Sequence, residues 1–72
     1  MTMDFSIDDE VDAGMLRFGG QTGKFSHNET VELANGTINL DISDTGTVLG
    51  IEFIGVSALL EADALRNLRT IT

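Results

Sequence analysis

The chain of 72 residues contains no cysteine, so disulfide bonds cannot stabilise its fold. It has a single histidine, and therefore no Cys/His cluster that could bind structural zinc. A domain of this size buries only about 60% of the surface that its unfolded chain exposes. We therefore expect a single domain over residues 1–72, stabilised by tight packing or by association into a homodimer.

Basic residues are scarce: four Lys and Arg stand against twelve Asp and Glu, giving a formal net charge of −8. This charge repels phosphate backbones and anionic membranes, which argues against direct nucleic-acid or membrane binding. Residues 1–12 contain no basic residue and no long apolar run, unlike a signal peptide or a membrane anchor. We expect a cytoplasmic protein.

Period-two alternation predicts the first strand, since Met3, Phe5 and Ile7 alternate with polar residues. A second strand is predicted over 13–18. A third and a fourth strand, over 30–34 and 37–42, flank Asn35-Gly36, the sequence typical of a type I′ hairpin turn. A two-residue loop at Asn35-Gly36 pairs Leu33 with Ile38 and Val31 with Leu40.

Residues 37–54 are predicted to form two strands joined by a tight turn at Asp44-Thr45-Gly46. A three-residue loop with a left-handed Gly46 would pair Ile42 with Val48. A four-residue loop would instead pair Leu40 with Leu49 and Ile38 with Ile51. We prefer the four-residue loop because it places the apolar residues of both strands on one face.

After Gly55 the apolar residues recur at spacings of three and four, which predicts an amphipathic helix. They are Val56, Leu59, Leu60, Ala64, Leu65, Leu68 and Ile71. Ser57 is the predicted N-cap. We expect the helix to cover one face of the sheet. Alternatively, its residues Leu65, Leu68 and Ile71 form an exposed interaction surface for a partner.

The segment over residues 41–52 has the spacing of a relaxed EF-hand calcium loop. Its ligands would be Asp41, Ser43, Thr45, the carbonyl of Thr47, and Glu52. An EF-hand needs a helix on each side, whereas both flanks here are rich in β-forming residues. We therefore predict a hairpin and no metal site, with calcium binding as an alternative.

Four carboxylates crowd residues 8–12, namely Asp8, Asp9, Glu10 and Asp12. Such a charge run is typical of a solvated connection, and a hard-cation site is the alternative. His27 lies in a polar stretch and is predicted to be an exposed loop residue, with no nucleophile or acid held beside it. We predict no catalytic residue and no cofactor, and we expect that the chain is not an enzyme.

Two segments resemble a bacterial and phage family called domain of unknown function 2283. The resemblance is carried by Asp12-Ala13 before a strand with Arg17, and by Gly50-Ile51-Glu52 after an Asp-x-Gly turn. It covers about residues 3–57. Gly14 and Met15 stand where the family usually has an aliphatic residue and Tyr. The resemblance implies a small antiparallel sheet, no established activity, and an accessory or antitoxin-like role beside toxin-like proteins.

The sequence as a whole predicts an α+β domain, with a small antiparallel sheet of four to five strands and a C-terminal amphipathic helix packed on one face. The function we expect is that of a non-enzymatic protein-interaction module, acting as a homodimer. An acidic decoy that mimics nucleic acid is the main alternative, because of the net charge of −8.

Overall fold

A computed structural model describes the backbone of residues 3–71 and the side chains of residues 3–69. The chain is α+β, as expected, with five strands followed by two helices. The elements are β1 (Met3–Asp8), β2 (Ala13–Phe18), β3 (Phe25–Leu33), β4 (Gly36–Ser43), β5 (Val48–Ile54), α1 (Val56–Leu59) and α2 (Ala62–Ile71).

The strands form one antiparallel sheet in the order β1-β2-β5-β4-β3. Successive hairpins join β3, β4 and β5, and β5 then pairs with β2, so the last strand of the chain lies at the centre of the sheet. The strands β1 and β3 form its two edges. This arrangement confirms the predicted small antiparallel sheet.

The first hairpin has a different turn from the predicted one. Leu33 pairs with Gly36, and Ala34-Asn35 form the connection. Neither connecting residue has a positive φ, so the turn is not of type I′. Gly36 belongs to β4 instead, where a Cβ atom would lie 2.4 Å from the carbonyl oxygen of Ile54. Only glycine allows this close approach. Because Gly36 pairs with Leu33 in the sheet, Val31 pairs with Ile38 and not, as predicted, with Leu40.

The second hairpin has the three-residue loop and neither of the pairings predicted for the preferred four-residue loop. Ile42 pairs with Val48, as a three-residue loop requires, and Gly46 has the left-handed φ of 86°. A bulge then follows, so that Leu40 pairs with Ile51 and Ile38 with Phe53. The predicted pairings of Leu40 with Leu49 and of Ile38 with Ile51 are therefore both wrong. The bulge shifts the register by one residue, which restores the apolar face that a plain three-residue loop would have lost.

The single predicted helix is two helices. The N-cap of α1 is Gly55, with φ 86°, and not Ser57. The chain is extended at Leu60, with φ −115° and ψ 141°, before α2 begins. Contacts of α1 with β4 and of α2 with the edge strand β1 require this change of direction. Neither helix in the described residues has the length and apolarity needed to span a membrane.

The core lies between α1 and one face of the sheet. A Cβ atom at Gly14 would lie 3.0 Å from Phe5 Cζ and 3.1 Å from Val56 Cγ2, so the glycine allows α1 to approach the sheet. Within residues 3–69, the buried apolar side chains are Phe5, Ile42 and Val56. The core is thin, and much apolar surface stays exposed.

Candidate interaction surface

The most exposed element of the sheet is β3, its longest strand. All nine of its residues are exposed, including Phe25 at 59%, Val31 at 45% and Leu33 at 49%. Because β3 is hydrogen-bonded to β4 on one side only, its other side presents backbone N–H and C=O groups to solvent. We call β3 with these groups the β3 edge.

Pairing with β4 fixes the direction of the β3 side chains. Glu29 lies opposite Leu40, and Val31 lies opposite Ile38, so these residues share one face of the sheet. Leu59 of α1 lies over Gly36 on that same face. Val31 and Leu33 therefore extend the helix-covered face, although they are themselves exposed. Phe25 pairs with Ser43 beyond a register shift and lies on the opposite face.

His27 lies on β3 and not in a loop, which corrects the sequence-based prediction; its exposure is as expected. The stretch Ser26-His27-Asn28 is polar because the strand is exposed, and a solvated strand gives no hydrophobic alternation to detect. The imidazole Nε2 lies 3.2 Å from Glu29 Oε2, and Nδ1 lies 3.1 Å from Ser26 Oγ. The imidazole therefore has polar neighbours on its own strand.

The opposite face of the sheet carries cross-strand hydrogen bonds between polar side chains. Thr30 Oγ1 donates to Asn39 Oδ1 at 2.6 Å, and Asn39 Nδ2 donates to Glu52 Oε1 at 3.2 Å. Asn28 Nδ2 likewise donates to Asp41 Oδ1. Two proposed calcium ligands, Asp41 and Glu52, are thus hydrogen-bonded on strands.

The hydroxyl-bearing calcium candidates organise the turn itself. Ser43 Oγ accepts the backbone N–H groups of Thr45 and Thr47, at 3.3 and 3.0 Å, and lies 2.6 Å from Thr47 Oγ1. Strands β4 and β5 occupy the places where an EF-hand has helices. In the described part of the chain, no three His, Cys, Asp or Glu side chains are grouped to hold a metal ion.

The acidic cluster is more than a solvated connection. Asp12, with φ 54°, accepts the N–H groups of Gly55 and Val56 on its carbonyl oxygen. Its carboxylate accepts the backbone N–H of Ser57 at 3.1 Å and the Ser57 hydroxyl at 2.7 Å. Asp12 thereby caps α1 from a distant part of the chain. Asp9 accepts from Arg69 at 2.9 Å, and Asp8 accepts the N–H of Glu10 at 3.1 Å.

Only part of the interaction surface predicted on the helix lies within the described residues. Leu65 and Leu68 lie on α2 and are half-buried, while the side chain of Ile71 lies outside the described residues. The β3 edge therefore contributes functional candidates that sequence reasoning missed, namely Phe25, Val31 and Leu33. Their signal was weak because the strand is polar over its first half.

Comparison with known families places the chain. Residues 5–57 match the family described as "Protein of unknown function (DUF2283)". The chain belongs to this family. The DUF2283 match begins in β1 and ends at Ser57 in α1, so it includes the whole of strands β2 to β5 and excludes α2. No curated protein and no solved structure matches the chain.

Proposed function

We propose that this DUF2283 protein is a non-enzymatic protein-interaction module with an accessory or antitoxin-like role. The observation that carries the proposal is the exposure of large apolar side chains on β3, beside a core of few buried ones. Burying a Val, Leu or Phe side chain contributes roughly 1.5–3 kcal/mol. A partner that covers Val31 and Leu33 would therefore gain binding free energy that the isolated chain leaves unused.

The carboxylates support a binding role better than a catalytic one. Asp12, Asp41 and Glu52 already accept hydrogen bonds from Ser57, Asn28 and Asn39. General acid or base catalysis needs a group positioned to transfer a proton to a bound substrate. These three carboxylates instead hold neighbouring elements of the fold together.

The acidic-decoy alternative loses support for a similar reason. A mimic of nucleic acid should present its carboxylates freely to a basic partner. In the cluster over residues 8–12, Asp12 is committed to α1 and Asp9 to Arg69. An interaction through apolar surface therefore remains the better proposal.

We further infer that α2 is amphipathic and packs its apolar face against the sheet. Leu65 and Leu68 are half-buried, whereas the helix residues between them are exposed, and α2 contacts β1. This packing would leave less of the stripe free for a partner than the sequence alone suggests. The β3 edge is accordingly the first surface to test.

The test is affinity capture from host lysate with the purified chain as bait. We expect a host protein in stoichiometric amount with the native chain and with Val11→Ser, which removes an apolar side chain that is 64% exposed on the β1–β2 connection. We expect its loss with Leu33→Ser. Circular dichroism must confirm that both variants fold. Absence of any stoichiometric protein, or equal capture by both variants, would contradict the proposal.

A further inference from the structure

We propose that the β3 edge binds an extended, basic segment of a partner protein as a sixth strand of the sheet. The segment runs antiparallel to residues 28–33 and carries Lys or Arg at two positions. The proposal rests on the protein-interaction function above and names how the partner binds and what its segment contains. It follows from the regular backbone of the edge, its free hydrogen-bonding groups and its charge.

The second part of β3 is a regular and uncovered edge. Its pairing with β4 is continuous from His27 to Leu33, whereas the register shift lies earlier, between Phe25 and His27. Monomeric proteins commonly protect such edges with Lys, Pro or a bulge. Residues 27–33 contain none of these, and all of them are exposed. At the usual rise per residue, residues 28–33 offer about 20 Å of strand.

The hairpin determines which backbone groups of the edge face solvent. Leu33 and Gly36 close a two-residue loop, which makes them a hydrogen-bonded pair. Such pairs occur at every second residue of an antiparallel ladder, so Glu29 and Val31 also direct their N–H and C=O groups to β4. The alternate residues direct these groups to solvent. They are Asn28, Thr30 and Glu32.

The side chains of residues 28–33 define the chemistry of the segment. Glu29, Val31 and Leu33 lie on the helix-covered face, and Glu32 lies on the opposite face. A pairing strand is stabilised by apolar residues opposite Val31 and Leu33, and by cationic residues opposite Glu29 and Glu32. Starting opposite Leu33, an antiparallel segment therefore reads apolar, basic, apolar, polar, basic, polar.

Charge favours such a basic segment. The side chain of Glu29 is 63% exposed, and its neighbour His27 carries a charge only when protonated. Among residues 3–69, no ion pair involves Glu32. The formal net charge of −8 also attracts a cationic segment over a distance and increases its rate of association.

A second copy of this chain fits the edge less well. Two copies repel each other, because each has a formal net charge of −8. In antiparallel self-pairing, an axis through Thr30 places Glu29 against Val31, and an axis through Val31 places Glu29 against Leu33. A carboxylate then faces an apolar side chain in both cases. The edge therefore favours a segment of a different protein.

A synthetic peptide with the expected pattern tests the proposal, namely Val-Lys-Val-Thr-Lys-Thr with both ends blocked. The measurement is hydrogen exchange of single amides, followed by NMR. With the peptide at about ten times its dissociation constant, exchange of the Asn28, Thr30 and Glu32 amides should slow about tenfold. Unchanged exchange of these three amides at millimolar peptide would overturn the proposal.

Two N-methylated peptides distinguish backbone pairing from side-chain contact. In the proposed register, the N–H of the fourth peptide residue donates to the Thr30 carbonyl oxygen, and that of the third points away from β3. Methylation of the fourth N–H should weaken binding about tenfold or more, and methylation of the third less than about threefold. Equal weakening by the two would contradict strand pairing in this register.

A peptide of reversed charge tests the requirement for basic residues. Val-Glu-Val-Thr-Glu-Thr keeps the apolar pattern and places Glu opposite Glu29 and Glu32. We expect it to bind at least about tenfold more weakly than the lysine peptide. Equal binding of the two peptides would show that charge does not select the partner, and would overturn this part of the proposal.

A proline in β3 provides the matched change in the protein. Thr30→Pro removes the solvent-facing N–H, whereas Thr30→Val keeps it, and both lose the hydrogen bond to Asn39. Proline is tolerated in an edge strand where its N–H would face solvent, and circular dichroism should show that both variants fold. Peptide affinity should fall about tenfold or more with Thr30→Pro and less than about threefold with Thr30→Val. Equal affinities would overturn the proposal.

The two proposals can fail separately. A host protein captured equally by the native chain and by Thr30→Pro would refute strand addition and leave the accessory function intact. Peptide binding at this edge without capture of any host protein would refute the accessory function and support strand addition. Protection of the solvent-facing amides in the free chain, increasing with its concentration, would show that a second copy occupies the edge and would overturn the proposal.

Discussion

Replacing Asp12 should destabilise the fold more than an ordinary change in a surface connection. Asp12 is the residue of the β1–β2 connection that reaches the start of α1. Its carboxylate accepts the N–H and the hydroxyl of Ser57, at 3.1 and 2.7 Å. Its own backbone has φ 54°, a region that Asp and Asn tolerate better than other residues with a Cβ atom.

The expected magnitude has three contributions. Loss of the cap to the Ser57 N–H costs about 1 kcal/mol. Loss of the bond from the Ser57 hydroxyl costs about 0.5 kcal/mol, because the residue is exposed. Placing Ala at a left-handed φ adds about 1 kcal/mol. For Asp12→Ala we therefore expect a free energy of unfolding lower by about 2–3 kcal/mol.

Two further variants separate these contributions. Asp12→Gly removes the hydrogen bonds, but glycine adopts the left-handed φ without strain. The free energy of unfolding should therefore fall by about 1.5 kcal/mol. Asp12→Asn keeps an acceptor and tolerates the left-handed φ, so it should cost under about 1 kcal/mol. In urea denaturation the order of stability should be Asp, Asn, Gly, Ala. Equal losses for Ala and Gly would refute the conformational argument, and equal losses for Asn and Ala would refute the hydrogen-bond argument.

Three other measurements test the structure. Gly36→Ala places a Cβ atom 2.4 Å from the Ile54 carbonyl oxygen and should lower the free energy of unfolding by about 1–3 kcal/mol or more. In Gly46→Ala the new Cβ atom meets no atom within 4 Å, so the loss should be only about 1 kcal/mol, from the left-handed φ. Urea denaturation compares the two variants. Ser43→Ala removes a buried acceptor of two turn N–H groups and should cost about 1–3 kcal/mol by thermal denaturation, more than the exposed Thr45→Ala. Millimolar calcium should give no heat in a calorimetric titration and no increase in melting temperature. A saturable increase in melting temperature would instead support calcium binding at residues 41–52.

The elements with strong periodicity could be predicted from the sequence. Alternation at Met3, Phe5 and Ile7 gave β1, and β2 has its predicted bounds. The position of the turn at Asp44-Thr45-Gly46 was predicted correctly, but the left-handed Gly46 belongs to the three-residue loop, which was not the preferred one. Local sequence sufficed in these cases because the buried face or the turn conformation depends on a few adjacent residues.

Glycine caused the clearest error in the fold. Asn35-Gly36 is a strong local signal for a type I′ turn, but Gly36 is needed in β4 because the Ile54 carbonyl and Leu59 approach it closely. That requirement comes from residues about twenty positions away. No local rule contains it, and the competing turn signal therefore gave the wrong register.

The divided helix has a similar origin. The apolar spacing from Val56 to Ile71 continues through the break, so periodicity could not reveal the extended Leu60. The break depends on which strands the two helices contact, and on Asp12 holding the start of α1. Both are tertiary properties.

The β3 edge was missed for the opposite reason, because an exposed strand has no buried face to impose a hydrophobic pattern. The DUF2283 match includes β3 and excludes α2, so the two candidate surfaces belong to different parts of the chain. Capture that depends on Leu33 would place partner binding within the part that matches the family. Capture that instead depends on Leu65 or Leu68 would place partner binding in the helix beyond the match.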